Sequence, residues 1–269
     1  EPFARPDILE IIEYAKRLGF MVTINTNGSF LNGPIVRELA KIRPDKIDIT
    51  LPGMSKPVFE SITGVPGSHR AVFKAIDNLR GNGIPVGFKS CLLKQNAGEI
   101  RAIQRFARAL NAAHRLDTFL CRRLDGSPEP YALRGSLPET GKNKAKVGAV
   151  RASECSPGEK QNARSLFFCG AGRFQAAVTP AGELKLCVMI AEPKYDILKS
   201  GFSAAWKSAG QFIKNIRPDN TYACSGCGHK LYCISCPARG WLYAKNFSSC
   251  DPFVRSWLGQ PGESYANRG

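Results

Sequence analysis

Histidine is scarce. Only His69, His114 and His229 occur in 269 residues, and none stands in a pattern that would pair it with a serine or cysteine nucleophile, which excludes triad-type hydrolysis. A glycine-rich loop ending in Lys-Ser or Lys-Thr is also missing, so there is no phosphate cradle of the P-loop kind. No apolar run reaches about eighteen residues, the length of a membrane helix. The opening residues lack the basic start, apolar stretch and small-residue cleavage site of an export signal. These absences read as a soluble, cytoplasmic protein with no membrane partner. Acidic residues are few, 22 against 38 basic ones, for a formal charge of +16. A basic surface suits an acidic partner, although a solvated surface is the plain alternative. No Lys/Arg block or aromatic platform stands out, so nucleic acid ranks last among partners. The chain opens Glu1-Pro2-Phe3 with no initiator methionine and is expected to be a piece of a longer protein.

What the chain does contain is a repeated helix-then-strand phrase. Apolar residues at 8, 9, 11, 12, 15 and 18 mark one helix face, Gly19 ends it, and residues 20–26 read as a strand. The phrase recurs with helices at 34–42, from Ser68 to about Gly81, and at 97–110 with Asn96 as its cap. The matching strands are expected at 46–51, 84–93 and 116–122. Such alternation predicts an α/β fold with a parallel sheet, part of a barrel whose active site lies at the strand C-termini. Periodicity stops near residue 125, and Gly, Pro, Lys, Ser and Glu dominate until about 165. Beyond it, Pro180-Ala181-Gly182 reads as a hairpin turn that places Cys187 on its second strand. A helix is expected at 202–216, and Pro237 opens another. The organisation is therefore 1–125, a partial barrel; 126–165, a linker; and 166–269, a small cysteine-rich domain with a β-hairpin and short helices.

Seven of the ten cysteines follow residue 168. Without an export signal the reducing cytosol favours metal-binding thiolates over disulfides. Cys224-x2-Cys227 and Cys233-x2-Cys236 are separated by five residues, whereas zinc ribbons use a spacer of about fifteen to twenty. Seven thiols overfill one tetrahedral site and underfill two. Iron–sulfur ligation fits better, because ferredoxin-type cassettes also send a last cysteine followed by proline to a second cluster, as in Cys236-Pro237. Cys91 and Cys121 lie in strand patterns and read as small buried hydrophobes. Lys89, if it faces the barrel interior, could meet a carboxylate of substrate or cofactor.

Cys169, Gly182, Cys187, the four-cysteine cassette and Cys250 together resemble the SPASM domain of radical S-adenosylmethionine (SAM) enzymes. Glu1-Pro2 resembles the end of the Gly-Gly-Glu-Pro motif of the radical SAM barrel. Thr26-Asn27-Gly28 and Ile49-Thr50-Leu51 resemble its next two strand ends. Thr63-Gly64-Val65-Pro66-Gly67 and Leu124-Asp125-Gly126-Ser127 resemble recurrent SPASM phrases, so the resemblance covers nearly the whole chain.

The resemblance implies a partial (β/α)6 radical SAM barrel lacking its first strands, with two auxiliary 4Fe–4S clusters. Cys224, Cys227, Cys233 and Cys250 would hold one. Cys169, Cys187 and Cys236 would hold the other, with Cys155 a candidate fourth ligand. Glu1 and Pro2, Asn27, Thr50 and Lys89 would border SAM. The substrate would be a ribosomally made peptide, with a tetrapyrrole or other small metabolite as the alternative. An external electron donor is implied, and a non-catalytic iron–sulfur carrier is the reading from a different class. Two departures matter. Cys-x3-Cys-x2-Cys, which binds the radical-generating cluster, is absent from the 269 residues, so a third cluster is expected in a missing N-terminal part and this chain alone is expected to be inactive. Val188 stands where sulfatase-maturing relatives carry an aspartate, which argues against that role.

Overall fold

The computed structural model describes residues 1–136, 166–224, 226–227, 233 and 236–254. They form two compact units, one of residues 1–120 with 133–136, the other of 121–132 with the described residues from 166 onward.

In the first unit, helices and strands alternate as α1 (Ile8–Arg17), β1 (Thr23–Thr26), α2 (Gly33–Ile42), β2 (Lys46–Thr50), α3 (Lys56–Thr63), α4 (Ser68–Gly81), β3 (Val86–Cys91), α5 (Ile100–Ala109) and β4 (Ala113–Asp117). The strands make one parallel sheet in the order β1-β2-β3-β4. Local chemistry sets the helix ends. Asn32 accepts from the Ile35 amide at 3.1 Å to start α2, with Pro34 in the first turn. Ser55 does the same for α3, which Gly64 closes in the left-handed region at φ 69°.

Three features differ from the sequence expectation. Helix α3 is new; Ser55 at its N-cap and Pro57 in its first turn start it. Strand β4 lies at 113–117 and not at 116–122; it is an edge strand paired on one side, so it needs no apolar alternation to hold its place. Asn96 holds the N-cap position of the 3-10 turn Ala97–Glu99 that leads into α5, but its side chain makes no capping hydrogen bond. Its buried side chain accepts from the Leu93 amide and donates to the Cys91 and Pro52 carbonyls, each at 2.8 Å, tying the end of β3 to the loop after β2.

One sheet face is apolar. Ile24, Ile47, Ile49 and Phe88 join Ile12, Val36, Leu39, Phe59, Ile76, Leu79 and Ile103 from the helices in a single core. Strand periodicity of two sends the alternate residues to the opposite face. That set is Thr23 and Asn25, Lys46, Asp48 and Thr50, Gly87, Lys89 and Cys91, and Arg115 and Asp117. Parallel strands are usually apolar on both faces, so this polar face sets the sheet apart. Cys91 is exposed there and Cys121 is half-buried; neither is the buried hydrophobe expected, since Cys91 falls on the polar register.

The second unit holds a three-stranded antiparallel sheet, β5 (Ala177–Val178), β6 (Glu183–Lys185) and β7 (Lys194–Asp196). The hairpin turn forms where expected: Thr179 accepts from the Gly182 amide at 3.0 Å, and Gly182 has φ 78°. Strand β6 ends at Lys185, so Cys187 sits just past it and not on it. After α6 (Glu129–Ala132) and α7 (Ile197–Ser200) come α8 (Phe202–Asn215) and α9 (Pro237–Ala244). Ala205, Ala209 and Ile213 of α8, Ala238 of α9, and Leu166, Phe167, Leu184 and Leu186 form the core of this unit. Small residues on α8 allow close packing. Among the described residues, no helix is long and apolar enough to cross a membrane.

Candidate functional site

Chemistry-bearing groups gather in two places, one in each unit. In the first unit they follow the polar sheet face and the C-terminal strand ends. Glu1 Oε1 accepts from Thr26 Oγ1 at 2.6 Å, and Oε2 accepts from the Asn27 amide at 2.8 Å. Pro2 begins a single 3-10 turn, whose Phe3 amide points at the same carboxylate. Asn27 folds onto Ser29. Thr50 is exposed at the end of β2 and is the registered neighbour of Lys89.

Lys89 is half-buried and not a solvated strand lysine. Its ammonium lies 3.0 Å from Asp48 Oδ2 and donates to Asn25 Oδ1, while Lys46 approaches Asp48 Oδ1 at 2.9 Å. The Asp48 side chain is 6% exposed. Burial alone would raise its carboxyl, but hydrogen bonds from Lys46 and Lys89 outweigh that and hold it below the usual carboxylate range. Lys89 and Arg115 are directly paired across β3 and β4. Sequence reasoning missed Asp48 and Arg115, although the alternation in Lys46-Ile47-Asp48-Ile49-Thr50 is a readable signal of one apolar and one polar face.

The second place is made of thiols. Cys224, Cys233, Cys236 and Cys250 line one cavity together with Leu166, Tyr222, Arg239 and Asp251. Cys236 occupies the N-cap position of α9, with Pro237 in the first turn. Burial pushes the Cys236 thiol up, the nearby Cys187 adds to this, and Arg239 with the amides of Ala238 and Arg239 partly offsets it. Burial also raises Cys187, with Cys169 contributing in the same direction. Cys187 is thus electrostatically adjacent to both Cys169 and Cys236, and Cys236 belongs to both neighbourhoods. Cys227 closes a tight turn, its amide meeting the Cys224 carbonyl at 3.4 Å, but it is not among the residues lining the cavity. Cys155 lies outside the described residues.

Among the described residues, no three His, Cys, Asp or Glu side chains converge on a point that a single ion would occupy. An iron–sulfur cubane asks for a wider cage, because each thiolate takes its own iron. Soft sulfur donors lining a shared cavity suit that group. The half-buried thiols of Cys187 and Cys236 would give up their protons on binding it.

This geometry is joined by similarity to known proteins. Residues 1–107 match the model of the radical SAM superfamily. The cofactors that go with it are 4Fe–4S clusters and S-adenosylmethionine. More particularly, the chain is similar to the mycofactocin maturase MftC of Mycobacterium ulcerans, 25% identical over 97% of this chain and 74% of that protein. It is likewise 25% identical to the Mycobacterium tuberculosis maturase over 92% of this chain, spanning 65% of the relative's length. Among solved structures it shares the fold of Streptococcus suis SuiB bound to S-adenosylmethionine, with TM-score 0.57, 14% identity, and coverage of 93% of this chain and 62% of that one. A second SuiB structure, bound to its precursor peptide SuiA, aligns with TM-score 0.55 at 14% identity, again covering 93% of this chain and 62% of that one.

Proposed function

We propose that this chain works in a radical SAM enzyme that modifies a ribosomally synthesised peptide, with auxiliary 4Fe–4S clusters held by its thiols. The carrying observation is the cavity that Cys224, Cys233, Cys236 and Cys250 line in a chain with a radical SAM domain. Cys227 would complete a set with Cys224, Cys233 and Cys250. Cys169, Cys187 and Cys236 would form the other set, with Cys155 as a further candidate. The clusters would supply electron transfer, taking one electron from a substrate radical as it becomes the oxidised product, or substrate anchoring. An external electron donor completes the partners.

Reductive cleavage of bound S-adenosylmethionine supplies the radical that takes hydrogen from the substrate. The Cys-x3-Cys-x2-Cys pattern for that cleavage is not among these 269 residues. What the chain contributes is binding and orientation. The Glu1 carboxylate, fixed by Thr26 and Asn27, offers oxygens to an ammonium, beside Pro2. Thr50 presents a hydroxyl, and Lys89, steadied by Asp48 and Asn25, presents an ammonium to a carboxylate. Similarity to mycofactocin maturases runs along 92–97% of the chain, against 38% for an Fe-coproporphyrin III synthase, and this supports a peptide over a tetrapyrrole or other small carboxylate-rich metabolite.

Anaerobic reconstitution with iron and sulfide assay tests the proposal. About eight irons per chain are expected for two clusters, and fewer than about four would refute it.

A further inference from the structure

Asp251 is the residue after Cys250, and its side chain is 0% exposed. A buried carboxylate demands partners, and they come from the chain some 120 to 130 residues earlier. Arg122 Nε donates to Asp251 Oδ2 at 2.7 Å and Nη2 to Oδ1 at 3.4 Å; Tyr131 OH donates to Oδ2 at 2.7 Å; the Phe253 amide donates to Oδ1 at 3.0 Å. Arg122 also holds its own turn through the Gly126 carbonyl at 3.1 Å. Its guanidinium lies over the rings of Tyr131 and Tyr243, 5.6 and 5.0 Å from their centroids. Tyr131 stacks on Phe253 with centroids 3.7 Å apart. The Cys250 sulfur, for its part, lies 3.8 Å from the Asp251 carbonyl.

A buried ion pair adds little net stability compared with apolar packing, since both charges lose water. What it supplies here is geometry: a two-point guanidinium–carboxylate fork fixes position and direction at once. The same Asp251 lines the cavity that holds Cys224, Cys233, Cys236 and Cys250.

We propose that Arg122 and Tyr131, through Asp251, position Cys250 in the thiol cavity, so that the 121–132 segment sets how firmly that cavity keeps its cluster. The inference rests on the cluster-binding function proposed above. Groups that orient a metal ligand without touching the metal typically account for about 10–100-fold in metal affinity.

The test is iron release to a chelator from the anaerobically reconstituted chain. In Arg122→Gln, about four irons should leave about 10–100-fold faster while the rest leave at the wild-type rate. Tyr131→Phe, which removes one hydrogen bond, should accelerate the same irons by a smaller factor. In a Cys250→Ser background, Arg122→Gln should add nothing. Unchanged release in Arg122→Gln, or acceleration that persists without Cys250, overturns the inference while leaving the cluster proposal standing. If Arg122→Gln does not fold, Tyr131→Phe decides alone by the same criteria. A wild type that binds no iron refutes both.

Discussion

Replacing Asp48 with asparagine keeps the shape of the residue and removes the charge between two lysines. At about 3 Å and an effective dielectric of about 20, each ion pair is worth roughly 5 kcal/mol before solvation is counted. The lysine side chains are 38% and 36% exposed, so water screens much of that, and about 1 kcal/mol net per pair is a realistic remainder. Asparagine also leaves Lys46 and Lys89 facing one another over a buried amide. The sum is about 2–3 kcal/mol of local destabilisation. Amide hydrogen exchange reads this within the first unit: β2 and β3 amides should exchange about 30–150-fold faster in Asp48→Asn. The sign with pH follows from the depressed folded-state carboxyl. The ion pairs stabilise fully above the unfolded aspartate value of about 4, and that contribution disappears as pH falls through the lower folded value. The gap between wild type and variant should therefore be constant near neutrality and close on the acid side. A gap under about twofold near neutrality, or one that persists in acid, would refute the reasoning.

Two further outcomes follow from packing. Gly87 is the registered neighbour of Asp48 on the polar face, and an added Cβ would run into the Asp48 carboxylate; Gly87→Ala should lower stability by about 1–3 kcal/mol in chemical denaturation, and less in an Asp48→Asn background. Asn96→Ala strands the Leu93 amide and the Cys91 and Pro52 carbonyls, at a cost of about 2–4 kcal/mol that should appear as faster exchange in the loops after β2 and β3.

The repeating phrase of the first unit was legible because apolar residues recur at helical and strand periods, and because Gly19 and Pro34 mark ends that physics dictates. The cysteine spacing drew attention for a similar reason, since two close pairs of thiols only five residues apart have few purely structural uses. Less visible was anything made by distant residues. Nothing near Arg122 in sequence says that its partner is Asp251, 129 positions later. Asn96 has the composition of a cap, but three nearby backbone groups compete for its amide and win. The burial of Asp48 depends on lysines from two different strands. Local patterning predicts elements; it does not say which polar side chains will be enclosed between them.

The two faces of β2 divide the labour residue by residue. Ile47 and Ile49 are fully buried in the core, while Lys46, Asp48 and Thr50 contribute nothing to it. Shape and charge are thus carried by alternate residues of the same strand, so a change of charge at 46, 48 or 50 reaches the core only through the ion pairs that Asp48 makes with Lys46 and Lys89. Position 87 bears on the same pairs, because a side chain there would displace the carboxylate that both lysines share.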